Sequence, residues 1–172
     1  KDIFKIKEIL NVSPQETAIA PNLTVKENLE FMAGVYQISN KEKKIDELIK
    51  QFKLEEILNK RTKTLSGGWQ RRLSIAISLI NNPKILFLDE PTLGLDVIAR
   101  KELWKVINEL KGKITIILTT HYMEEAESLS DRIGIMANGK LVDVGTSEDL
   151  IKKTKTNNFE DAFVSIATGG EL

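Results

Sequence analysis

The sequence predicts an α/β fold in which a parallel-sheet core is joined to a block of helices. Three observations point that way. Residues 84–89 and 114–119 are short apolar runs, too brief for helices that bury themselves, and read as core strands. Between them, residues 97–111 place Leu103, Ile107 and Leu110 at helical spacing, and strand, helix, strand in that order implies a right-handed parallel crossover. Ahead of them, residues 24–82 carry helical periodicity almost throughout.

The elements follow in order. Residues 3–12 alternate loosely and are expected as a strand, broken by Pro14-Gln15-Glu16. Thr24-Val25-Lys26-Glu27 has the form of a capping box, in which a hydroxyl and a carboxylate satisfy free backbone N–H groups, and should open a helix with Leu29, Met32, Ala33 and Tyr36 on one face. Ser39 and Glu42 repeat that signal before Ile45, Leu48, Ile49 and Phe52. A third helix should open at Ser66, with Leu73, Ala76, Ile77 and Ile80 aligned. Pro83 ends the helical pattern. Gly112 is expected to cap the helix of residues 97–111. Residues 123–130 predict a short helix. Asn138-Gly139, between residues 132–137 and 140–144, is the strongest two-residue hairpin signal. Residues 147–153 and 159–166 predict two terminal helices, and no internal repeat or low-complexity linker is present. The expected divisions are 1–23, 24–82, 83–145 and 146–172.

Composition narrows the function. Twenty-five basic and 25 acidic residues give a formal net charge of zero, with no long basic run, which argues against a nucleic-acid partner. The absence of cysteine excludes a disulfide framework and suits a reducing compartment. His121 is the only histidine, so a multi-histidine metal site is excluded. The longest apolar runs fall far short of the ~20 residues of a membrane span. The opening KDIFKIKEIL lacks the pattern of a secretory signal, and the expectation is a soluble, cytosolic piece.

Chemistry concentrates between residues 65 and 96, LSGGWQRRLSIAISLINNPKILFLDEPTLGLD. Asp89-Glu90 ends a strand, where open parallel sheets put their ligands. A carboxylate there can hold Mg²⁺ largely through water, because Mg²⁺ dehydrates reluctantly. Its neighbour could orient and deprotonate an attacking water. A strand that merely ends in acids at the surface is the alternative. Ser66-Gly67-Gly68 offers close backbone N–H groups, a hydroxyl and the positive end of a helix, which suits an anion. The same tripeptide also fits an ordinary serine cap, but its place some twenty residues before Asp89-Glu90 favours the anion site. His121 follows a strand directly and could share a phosphate with Glu90, although a lone histidine is more often a satisfied structural residue. Gln15, in a loop after Pro14, is the weakest signal by itself.

Taken together these segments resemble the ATP-binding cassette (ABC) ATPases, from about Ser13 to Gly145. Leu65–Gly68 is similar to the signature motif, with Gln70 and Arg71-Arg72 as its basic continuation, and residues 85–90 to the Walker B strand with its catalytic glutamate. Residues 93–96 resemble the D-loop ending in Asp96, His121 the switch histidine and Gln15 the Q-loop glutamine. Trp69 departs from the usual residue after the glycines, and Val97 stands where proline is frequent.

The resemblance implies a P-loop NTPase (RecA-like) core with an ABC helical subdomain over residues 24–79 or so. ATP and Mg²⁺ would be the cofactors, with Asp89 and Gln15 at the metal. Ser66, Gly67, Gly68, Gln15 and Asp96 would lie at nucleotide, and Glu90 and His121 at the chemistry. Implied partners are a second cassette, forming an ATP sandwich, and transmembrane permease subunits, with no nucleic acid. The place would be the inner face of the cell membrane, and THYMEEAESLSDRIGIMANGKLVDVGT is most similar to the exporter branch.

One family part is missing from the sequence: no G-x-x-x-x-G-K-[ST] occurs. The expectation is therefore a fragment, the later part of a cassette, inactive and with little affinity for ATP by itself. Two other readings stay open, a soluble ABC-type ATPase with no membrane partner and a non-catalytic module.

Overall fold

The computed structural model describes residues 3–170. The first residues correct the sequence reading, because helix α1 (Ile3–Ile9) precedes a shorter strand β1 (Leu10–Ser13). Lys5, Lys7 and Glu8 are good helix formers, and strand begins only at Leu10, which has a partner in Ile85. Helix α2 (Val25–Val35) starts with the expected capping box: Thr24 accepts from the Glu27 N–H, and Glu27 Oε2 accepts from the Thr24 N–H at 2.7 Å. Val25, Leu29 and Ala33 are its buried face, whereas Tyr36 is 36% exposed. Helix α3 (Lys41–Phe52) buries Ile45, Leu48, Ile49 and Phe52 as expected. Its cap is Asn40 rather than Ser39, with Asn40 Oδ1 accepting from the Lys43 N–H. An amide oxygen caps as well as a hydroxyl, and the helix starts one residue later than the serine would set it.

After short 3₁₀ turns at Glu55–Ile57 and Thr62–Thr64, helix α4 (Gly67–Ser78) is buried on every side from Arg71 onward. It packs on α2, α3, β1 and the later α5 (Val97–Leu110). Strand β2 (Ile85–Asp89) is the centre of a three-stranded parallel sheet, paired with β1 from Leu10↔Ile85 to Ser13↔Leu88. Its other neighbour is β3 (Thr115–Thr119), from Ile85↔Thr115 to Asp89↔Thr119. The parallel crossover is thus present. Leu86 and Leu88 are fully buried, but β3, expected as a core strand, is an edge of this sheet and leaves Ile117 47% exposed. An apolar run tells that a strand is present and not how many neighbours it has.

Chain contacts divide the molecule into two units, the first reaching to Thr119 and the second beginning at Thr120. The second contains α6 (Met123–Leu129), β4 (Ile133–Ala137), β5 (Lys140–Gly145), α7 (Ser147–Thr154) and α8 (Phe159–Thr168). Strands β4 and β5 form an antiparallel hairpin. Its turn residues Asn138 and Gly139 have φ of +50° and +73°, the left-handed pair that a two-residue hairpin loop requires. Ala126, Ile133, Ile135, Leu150 and Phe159 form the core of this unit. Among the described residues no helix is long and apolar enough to cross a membrane.

Candidate functional site

Gln15, Ser66, Gly67, Gly68, Asp89, Glu90 and Asp96 all belong to the first unit, and His121 belongs to the second. Ser66 is the N-cap of α4, yet its side chain makes no cap bond, and Ser66 and Gly67 are exposed. A hydroxyl and the first N–H groups of a twelve-residue helix are thereby presented together. The two glycines differ. A Cβ on Gly68 would come within 3.1 Å of Ala99 Cβ, tighter than side chains ordinarily pack, so the start of α4 lies close against the first turn of α5. A Cβ on Gly67 would meet only Leu95 Cδ2 at 3.9 Å.

Asp96 is the N-cap of α5, and Oδ1 accepts from the N–H groups of Ile98 at 2.9 Å and Ala99 at 3.0 Å. Trp69 packs under the Arg72 guanidinium, 4.8 Å from ring centroid to Cζ, and Arg72 in turn pairs with Glu102.

At the C-terminal end of β2, register brings Asp89 opposite Thr119. Thr119 Oγ1 donates to Asp89 Oδ1 at 2.6 Å, and the Glu90 N–H donates to the Thr119 carbonyl at 3.1 Å. Glu90 itself has φ +46°, a left-handed backbone that side-chain-bearing residues avoid. The carboxylate after the strand therefore leaves the sheet at a sharp turn.

Gln15 is exposed in the bend after β1. The loop that carries it is pinned at both ends. Pro14 O accepts from Arg71 Nη1. At Ala20, the buried Asn28 side chain accepts from the N–H at 2.8 Å and donates to the carbonyl, which also accepts from Thr62 Oγ1 at 2.7 Å. His121 is exposed, with its ring centroid 4.2 Å from that of Tyr122.

The profile of the family described as ABC transporter matches residues 2–93, just over half of the sequence. The chain belongs to the ABC transporter family. Among its relatives, human "Phospholipid-transporting ATPase ABCA3" is 41% identical over 155 residues, covering 89% of this chain and 9% of that protein. "Probable multidrug ABC transporter ATP-binding protein YbhF" of Escherichia coli (strain K12) is 38% identical over 170 residues, covering 94% of this chain and 29% of that protein. The chain thus spans less than a third of the length of these curated relatives. A solved structure titled "Structure of ATP binding subunit of ABC transporter" superimposes with a TM-score of 0.79 at 27% identity, covering 93% of this chain and 69% of that one. The α/β architecture is accordingly the P-loop NTPase fold of ABC ATP-binding subunits.

Within this ABC segment, sequence reasoning passed over three residues that the structure makes central. Arg71 reads as one more basic residue after the glycines, yet it is 4% exposed and bonded to backbone carbonyls. Thr119 becomes visible only through the register that sets it against Asp89. Asn28 lies at an apolar-face position of α2 and is 3% exposed, and a buried amide in that place signals a loop in need of partners.

Proposed function

We propose that this chain is the later part of an ATP-hydrolysing cassette that drives export through separate transmembrane subunits. The observation that carries the reading is one arrangement. An uncapped Ser66-Gly67-Gly68 helix start and the Asp89-Glu90 strand end are held in one unit through Arg71 of α4, which bonds the carbonyls of Asp89, Glu90 and Pro91. One part presents N–H groups and a hydroxyl to an anion, and the other presents carboxylates at the ligand end of a parallel sheet.

In this reading Ser66, Gly67 and Gly68 face the γ-phosphate of an ATP held by a second cassette. Glu90 orients and deprotonates the attacking water, and His121 contacts the γ-phosphate, the transition state being stabilised electrostatically. Asp96 lies at the nucleotide while it caps α5. Residues 1–23 carry the Q-loop, 24–82 form the helical subdomain that meets the membrane subunits, 83–145 carry the Walker B strand, the D-loop and the switch histidine, and 146–172 supply terminal helices.

The residues suit Mg²⁺. The ion prefers one or two carboxylates plus phosphate and water, and Asp89, with Gln15 beside the same strand end, offers that. No group of three or more His, Cys, Asp or Glu that would cage an ion occurs among the described residues. Bound Mg²⁺ would offset charge on the phosphates. The lysine cradle for the β- and γ-phosphates would come from a phosphate loop not found in this sequence. The setting is the cytoplasmic face of a membrane, reached through the permease subunits.

The test is Mg²⁺–ATP titration calorimetry on this chain beside a longer native protein that contains it. The expected result is binding by the longer protein alone. In that protein Glu90→Gln should leave ATP affinity intact and lower turnover at least tenfold, within the ~10²–10⁴ range of general-base catalysis. Normal turnover would remove Glu90 from its role. Binding by neither protein would favour the second reading, a non-catalytic module, which rests on the missing G-x-x-x-x-G-K-[ST].

A further inference from the structure

Arg71 carries the most specific arrangement in the molecule. It sits in the buried stretch of α4 at 4% exposure and directs its guanidinium at four main-chain carbonyls. Nε donates to Pro91 O at 2.9 Å, Nη2 to Asp89 O at 2.7 Å and to Glu90 O at 2.5 Å, and Nη1 to Pro14 O. Three of these carbonyls surround Glu90, whose φ of +46° is a conformation that persists only where its surroundings over-determine it. The fourth belongs to the residue before Gln15.

We infer that Arg71 is a positioning residue, which holds the left-handed turn at Glu90 and ties that turn to the main chain entering Gln15. The planar fork is what makes this possible: five N–H donors in fixed directions reach carbonyls on two separate segments, whereas a lysine ammonium is a single point. The direction of the Glu90 side chain is set by that backbone turn. A change that relaxes φ swings the carboxylate without touching any phosphate-facing group. The consequence for catalysis rests on the proposed role of Glu90, while the structural claim does not.

The experiment is a double-mutant cycle in this chain, read as thermal midpoints. With Arg71 present, Glu90→Gly should raise Tm by about 2–4 °C, because glycine adopts positive φ without cost. In an Arg71→Met background the turn relaxes, and the same substitution should give no rise. Should Arg71→Met fail to fold, Arg71→Lys carries the same comparison. An equal Glu90→Gly shift in both backgrounds would overturn the inference.

In the longer ATP-hydrolysing protein, Arg71→Lys should lower kcat about 10–100-fold while KM for ATP stays within about twofold, as expected for a misplaced catalytic group. An unchanged kcat would overturn the catalytic consequence. If the unsubstituted longer protein hydrolyses no ATP, the proposed function fails and the Tm cycle still decides the role of Arg71.

Discussion

Gly67 and Gly68 are adjacent and identical in the sequence, yet the structure asks different things of them. Alanine at Gly68 would press its Cβ to 3.1 Å from that of Ala99, and both atoms are fixed to helix backbones, so the helices must shift. Gly68→Ala should cost about 1–3 kcal/mol in urea denaturation. Gly67→Ala, with only Leu95 Cδ2 at 3.9 Å, should be neutral or slightly stabilising, since alanine favours helix by up to about 1 kcal/mol over glycine. Equal losses at both positions would mean that packing is not what distinguishes them. Thr119→Val keeps the shape and removes the donor to Asp89 Oδ1, and should destabilise by about 1 kcal/mol in the same assay. The residues at this scale were unevenly legible. Ser66, Asp89, Glu90 and Asp96 stand out because their spacing is unusual. Arg71 was hidden because its partners are carbonyls, which every residue has, and only the fold decides which carbonyls meet a guanidinium.

The capping box of α2 has an electrostatic signature that can be measured. The Thr24 N–H, then its hydroxyl, bond the Glu27 carboxylate and hold its pKa below the ordinary 4.5. A lowered carboxyl pKa means that the stabilisation is present above the unfolded value and is lost as pH falls through the folded one. Glu27→Gln should therefore lower Tm at neutral pH, and the gap to the unsubstituted chain should close as pH is taken below 4.5. A gap independent of pH would show that charge is not involved. Elements were legible where period and local signal agreed, as in α2 and the Asn138-Gly139 hairpin, and α3 was legible from its period alone, its cap falling at Asn40. Residues 3–9 failed because a short stretch of alternating apolar and charged residues satisfies both periods, and the strand needs a partner that the local sequence does not reveal.

Strand order is the property of the whole molecule that the sequence left open. The crossover from β2 through α5 to β3 follows from the order of elements, but nothing in residues 114–119 says that β3 would be an edge of its sheet. With Ile117 47% exposed on that strand, the edge is a template for pairing with another copy. Light scattering across a concentration series should show self-association of this chain, and Ile117→Lys should suppress it. A monodisperse monomer at high concentration would refute that expectation.

The pairing of β1 with β2 also sets an order of events during synthesis. Leu10 must wait for Ile85, 75 residues later, before the parallel ladder can begin. At ribosomal speeds of 5–20 residues per second that delay is roughly 4–15 s, long compared with helix formation on the microsecond scale. The helices between Val25 and Ser78 can therefore find one another first, and β1 docks late on a surface that α4 has already half built. Nascent chains halted before Ile85 should protect amides in α2 and α3 from exchange while those of β1 remain open.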